Sequence, residues 1–148
     1  MRAQPGDPRD GVYKSLLTFT SHADANAMEA LDPLLVELIK IRVSQINGCA
    51  FCLRQHTRDS LRLGEDPDRL AVLPAWRETS YFSDVEGAAL RLAESITGVS
   101  KTHVSDEDYD AAAAAMTDEQ IVATMWVAIG MNALNRLAIT CRYEVGPN

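Results

Sequence analysis

Positive charge is scarce in this sequence. Lys and Arg number 14 against 21 Asp and Glu, a formal net charge of −7. Nucleic-acid binding leaves a basic footprint, and an anionic membrane surface attracts clustered Lys and Arg; the sequence shows neither. Long apolar runs are missing as well. No stretch approaches the roughly 20 residues of a membrane-spanning helix. The polar first ten residues hold no apolar core of a secretory signal. The expected compartment is therefore the cytoplasm. Cysteine is limited to three residues, too few for a disulfide framework, and 148 residues need none, because one core at this length buries about 68–70% of the unfolded surface. Strict apolar–polar alternation is absent, and the one Asn-Gly pair, Asn47-Gly48, follows a helical pattern rather than joining two strands. What remains, 47% hydrophobic and 24% charged residues, is the composition of a folded globular domain.

The start and stop signals predict an all-α, single-domain bundle of about seven helices: 11–29, 33–47, 49–63, 67–73, 83–98, 106–115 and 118–140, behind a flexible leader over 1–10. Asp32-Pro33 reads as an N-cap with Pro at the first helical position. Leu34, Leu35, Leu38 and Ile41 form one apolar stripe behind it, and Val36, Ile39, Val43 and Ile46 another, the mark of a buried helix. Asn47-Gly48 supplies its stop. Ser83 with Glu86, Ser105 with Asp108 and Thr117 with Gln120 have the spacing of capping boxes or their Asp variant. No linker divides residues 11–148 into two domains.

Two of the cysteines form Cys49-x-x-Cys52, and His56 follows four residues later. On one helix these three share a face. A thiol at a helix start meets free N–H groups and the positive end of the dipole, which lowers its pKa, and a neighbouring imidazole can take its proton. Glu37 joins by geometry. If the helices on either side of Asn47-Gly48 fold back as a hairpin, Glu37 and His56 lie at similar heights, and the carboxylate orients the imidazole. The predicted set is Glu37, His56 and Cys52, with Cys49 beside it, nearer solvent.

The spacing Glu37-x11-Cys49-x2-Cys52-x3-His56 resembles the core of the AhpD-like alkylhydroperoxidases, within the carboxymuconolactone decarboxylase superfamily. The stretch from Lys40 to Cys52, the triplet Leu63-Gly64-Glu65 and the run Leu134 to Ala138 carry the same resemblance, which covers about residues 13–143. It implies an all-helical fold and a homo-oligomer, trimer or hexamer. It also implies peroxide reduction through a CxxC dithiol/disulfide cycle with no bound cofactor. Cys52 would attack the peroxide and become a sulfenic acid, Cys49 would resolve it, and Glu37 and His56 would relay the proton. A dihydrolipoyl-bearing protein would be the dithiol reductant. One position departs: the best-known branch carries His directly before the second Cys, where this chain has Phe51.

Other readings stand beside these. Cys49, Cys52 and His56 offer three zinc ligands where a structural site wants four, with Cys141 or His103 as a possible fourth, so no metal is expected. The thiols can also be inert packed groups. Glu37 can serve as a structural ion against Arg42 or Arg136. His22 and His103 are expected at the surface. Arg136, Asn132 and Asn135 form a polar patch on the last helix, suited to subunit contact or packing, with a functional rim as the alternative, and Trp76 and Phe82 suit core packing or a channel wall. In function, a redox-sensing helical oligomer or a decarboxylase-like enzyme of the wider superfamily are the alternatives to a peroxidase.

Overall fold

A computed structural model describes residues 2–5 and 11–147. Residue 1, residues 6–10 and residue 148 lie outside the described residues, and with them most of the expected leader. Residues 2–5 form no helix or strand, and Arg2 and Gln4 donate to the carbonyls of Thr140 and Cys141 at 2.8 and 2.9 Å. The described residues are all-helical: α1 (Gly11–Ala30), α2 (Pro33–Asn47), α3 (Ala50–Arg62), α4 (Pro67–Val72), a 3-10 turn over Leu73–Glu78, α5 (Asp84–Thr97), α6 (Val99–Thr102), α7 (Asp106–Ala115) and α8 (Asp118–Cys141).

Two of these pieces exceed the predicted seven. Pro74 lacks an N–H and cannot continue α4, so the chain tightens into the 3-10 turn, with a kink at Ala75. The predicted helix 83–98 ends at Thr97, and the Gly98 carbonyl accepts from Lys101 and Thr102 and opens the single turn α6. Most caps follow the sequence. Asp32 accepts from Leu34 N, and Ser83/Glu86 and Thr117/Gln120 are complete capping boxes. Ser105 accepts from Asp108 N, but the Asp108 carboxylate bonds Arg91 and Ser95 instead of closing a box.

The core forms around α2, which packs against α1, α3, α5 and α8. Val36, Leu38, Ile39 and Val43 are fully buried there, each contributing about 1.5–3 kcal/mol of apolar burial before entropy is charged. Leu34 and Ile46, assigned to the stripes, lie at the ends of the helix and stay partly exposed. One helix, α8, is long and apolar enough to cross a membrane, contrary to the sequence expectation, but 56% of its apolar window is buried, and it packs on α1, α2 and α5. It is the second core helix of the bundle.

Candidate functional site: a buried dithiol and a carboxylate–imidazole pair

The turn between α2 and α3 builds the site. Gly48 sits in the left-handed region at φ 69, which costs a Cβ-free residue little. Its N–H donates to Gln45 O, and Cys49 N donates to Ser44 O at 3.0 Å. This double bond pattern is a Schellman stop, so the same turn that ends α2 fixes the backbone of Cys49. Cys49, predicted as the first helical residue, is thereby the N-cap one residue before α3, and Cys52 lies in the first turn. Their sulfurs are 2.9 Å apart, as free thiols.

The reversal brings α3 back along α2, as the hairpin argument required. His56 Nδ1 lies 2.8 Å from Glu37 Oε2. A carboxylate can only accept, so Nδ1 carries a proton, and in the neutral ring Nε2 then holds the free lone pair. The other Glu37 oxygen accepts from Lys40 Nζ at 3.1 Å, and Lys40 also reaches Asp24 on α1 at 2.8 Å. Glu37 therefore pairs with Lys40 and His56. Neither Arg42 nor Arg136 is its partner: Arg42 binds Glu94, and Arg136 binds Asn132. Burial pushes the Glu37 carboxyl upward, but the His56 hydrogen bond and the Lys40 charge outweigh it and hold the group below its ordinary range.

The thiols are less accessible than predicted. Cys49, expected nearer solvent, is 1% exposed, and Cys52 is 6% exposed. The chain beyond α8 packs beside the opening of α3. Arg142 turns the chain in the left-handed region, Tyr143 sets its ring edge-on against Phe51 at 5.2 Å, and Arg54 donates to Gly146 O at 2.7 Å. Burial, then Tyr13, raises the Tyr143 phenol. The Cys52 thiol is pushed up to about 12 by burial and by Cys49, with the Asn135 side chain pulling the other way. Desolvation is the largest influence at this sulfur. Cys52 rests as a thiol at neutral pH, and attack by it needs a base.

The structure adds Lys40, Asp24, Asn135 and Tyr143 to the set named from sequence. Lys40 had a signal in its i,i+3 spacing from Glu37; the other three arrive by tertiary packing. Asn135 is fully buried, so for this member of the polar patch packing is the reading that holds. A small cavity of about 60 Å³, walled by Asp24, Lys40, His56, Trp126, Met131 and Leu134, lies on the α1–α8 side of the imidazole. Trp76 bonds Glu94 through its indole N–H, and with Phe82 it lines a cleft that none of the thiols, Glu37 or His56 borders. His22 and His103 are exposed, as expected. Among the described residues, one set of metal-type ligand atoms, on Glu37, His56 and Asp59, gathers within 4.8 Å. Protein cations already hold its carboxylates, Lys40 on Glu37 and Arg62 on Asp59.

Residues 12–95 match the Carboxymuconolactone decarboxylase family. The chain is 44% identical over 103 residues to the uncharacterized protein YdfG of Bacillus subtilis (strain 168), covering 70% of each. It is 29% identical over 105 residues to the uncharacterized protein YnjA of Escherichia coli (strain K12), covering 71% of this chain and 57% of that one. The fold superposes on the crystal structure of a protein of unknown function from Agrobacterium tumefaciens, a candidate antioxidant defence protein AhpD. The TM-score is 0.90, with 25% identity over 99% of both chains. The debrominase Bmp8, solved with 2,3,4-tribromopyrrole, shares the fold at TM-score 0.82 and 16% identity, over 93% of this chain and 72% of that one.

Proposed function

The chain belongs to the carboxymuconolactone decarboxylase family, and within it we propose a thiol-dependent peroxidase that reduces organic hydroperoxides. The observation that carries this reading is the pairing of two adjacent free thiols at the opening of α3 with a carboxylate-held imidazole one turn along the same helix. A decarboxylase-like role has no use for the second thiol, and a packed inert pair has no use for the imidazole.

His56 Nε2 takes the Cys52 proton as the sulfur attacks the outer peroxide oxygen. The O–O bond breaks, the sulfur becomes a sulfenic acid, and the leaving alkoxide takes a proton to become the alcohol. Cys49 then attacks the sulfenic sulfur, the S–S bond forms, and the departing hydroxide leaves as water. A dithiol, such as a dihydrolipoyl protein, reduces the disulfide and is itself oxidised. Glu37 faces the ring throughout, orients it and stabilises the imidazolium. Lys40 keeps Glu37 ionised.

We place this chemistry in the cytoplasm and in a homo-oligomer, trimer or hexamer. Val122, Trp126 and Ile129 support assembly, since they follow one face of α8 and are 39–45% exposed. Light scattering should give a multiple of 16.2 kDa; a monomer across micromolar concentrations removes the assembly. The catalytic test is consumption of cumene hydroperoxide with dihydrolipoamide. Wild type should turn over and Cys52→Ser should not. No consumption by wild type with any dithiol rejects the peroxidase.

A further inference from the structure

We propose that Asp24, on α1, is a positioning residue for the carboxylate–imidazole pair: by sharing the buried ammonium of Lys40 with Glu37, it sets how strongly Glu37 accepts from His56. The use of that hydrogen bond in peroxide reduction rests on the proposed peroxidase; the sharing does not.

Lys40 carries a charge that bulk water does not serve. Its side chain is 7% exposed, and a buried ammonium is costly unless anions or acceptors meet it. It meets two carboxylates on different helices. Nζ donates to Asp24 Oδ2 on α1 at 2.8 Å and to Glu37 Oε1, one turn back on α2, at 3.1 Å. Among the described residues, Asp24 is the one carboxylate that borders the small cavity lined by Lys40 and His56. From α8, Trp126, Val127, Met131 and Leu134 close that cavity and bring no charge to it.

The distances alternate along the chain of groups. Asp24 to Lys40 is short, Lys40 to Glu37 is longer, and Glu37 to His56 is short again at 2.8 Å. Neighbouring hydrogen bonds polarise one another, and a carboxylate held hard by one donor accepts less well from a second. Asp24 draws the ammonium outward and leaves more of the Glu37 charge to the ring. Without the Asp24 charge, Lys40 closes on Glu37, and the bond from His56 Nδ1 weakens. The other titratable groups around the ring lie on α3. Asp59 Oδ2 is 4.0 Å from Nδ1, but Gln55 and Arg62 donate to that carboxylate at 2.9 and 2.7 Å, and Cys52 is one turn back. Neither is altered in the experiment. Asp24 acts only through Lys40, and its side chain is 34% exposed, so replacing it leaves the packed core intact.

The test uses the full, reduced chain with His22→Gln and His103→Gln, both exposed positions, so that His56 holds the one imidazole. Its Nδ1–H proton, bonded to a carboxylate, gives a low-field proton resonance in NMR that is read without any peroxide. Asp24→Asn keeps the shape and loses the charge. The resonance should move upfield, and exchange of that proton with water should speed up by about 3- to 10-fold, as for a partly weakened hydrogen bond to a charged group. Asp24→Glu keeps the charge and should stay with the parent. Lys40→Met removes the competing donor from Glu37 and should move the resonance downfield, the opposite sense, which a loss of packing alone would not do. An unmoved resonance in Asp24→Asn would overturn the proposal, as would equal shifts in Asp24→Asn and Asp24→Glu, or the absence of any low-field resonance in the parent. An upfield move in folded Lys40→Met would overturn the route through Lys40. The two Asp24 variants decide the matter even if Lys40→Met does not fold. The expected shifts in a protein that consumes no peroxide would uphold this inference and reject the peroxidase.

Discussion

Glu37 on α2 and His56 on α3 meet at 2.8 Å across a turn that neither residue belongs to. The pair works because each carries a second constraint. Lys40 neutralises the free oxygen of Glu37, and α3 holds His56 one turn beyond Cys52. Glu37→Gln keeps the shape but offers Nδ1–H either an amide oxygen without full charge or an amide N–H that repels it. The first-step rate with peroxide should fall by about 10²–10⁴-fold, the usual range for a general base that loses its support. The buried Lys40 keeps only Asp24, so stability should fall by about 1–3 kcal/mol. Stopped-flow oxidation and urea unfolding of the same protein separate the two losses. A variant that is destabilised yet reacts at the wild-type rate removes Glu37 from the reaction.

Much of this pair was legible in the sequence, because both parts of the argument are local. Asp32-Pro33 and Asn47-Gly48 bound α2 through their own backbone preferences, and counting residues from the turn sets Glu37 opposite His56. Asn135 was not legible as a partner of Ser44, since the two are separated by 91 residues and no periodicity reports which face of α8 meets the turn. The contacts of Tyr143 with Phe51 and of Gly146 with Arg54 were missed for a related reason: they are made by chain that returns to α3 after the last helix has ended. Asp108 shows the opposite failure: its local spacing was right for a box, and Arg91, 17 residues away, won its carboxylate.

Acid should weaken the fold through three carboxylates. Burial alone raises Glu94, but Arg42, Trp76 and Arg77 donate to it and hold it below 4.5; Glu86 with Arg69 and Glu37 with His56 and Lys40 are held low in the same way. A folded pKa below the unfolded one means that the unfolded chain binds more protons as pH falls. This stability is present above pH 4.5 and is lost as pH drops through the folded values. The urea midpoint should fall steeply below that pH. Glu94→Gln should lower stability at pH 7 and flatten the acid slope; an unchanged slope would mean that Glu94 plays no part in it.

The segment after α8 should control access to the dithiol. Tyr143 and Gly146 rest on Phe51 and Arg54, at the opening of α3. Tyr143→Ala removes the ring contact while leaving the turn at Arg142. Alkylation of the thiols by a bulky maleimide should then accelerate several-fold, whereas iodoacetamide, being small, should change less. Equal rates for both reagents in both proteins would show that this segment shields nothing.

The two cysteines should differ in role, and the structure changes the reason. Exposure no longer separates them in the expected direction, since Cys49 is the more buried. What separates them is their partners. Cys52 has His56 on its own helix face, one turn away. Cys49 is the N-cap, held by its backbone, with no side-chain cap bond. Against this, burial and Cys49 push the Cys52 thiol up to about 12, so it attacks only as His56 removes its proton. Cys49→Ser should therefore react once with peroxide and stop at a sulfenic acid that a dimedone-type trap labels at Cys52. Cys52→Ser should leave Cys49 unlabelled at comparable peroxide, because no imidazole serves it. In the first protein, His56→Ala should suppress labelling by about 10²–10⁴-fold, and raising the pH should recover part of it as hydroxide takes over the proton. Mass spectrometry under limiting peroxide gives the answer for each protein. Labelling of Cys49 in Cys52→Ser, with none of Cys52 in Cys49→Ser, would reverse the roles and leave His56 serving the other sulfur.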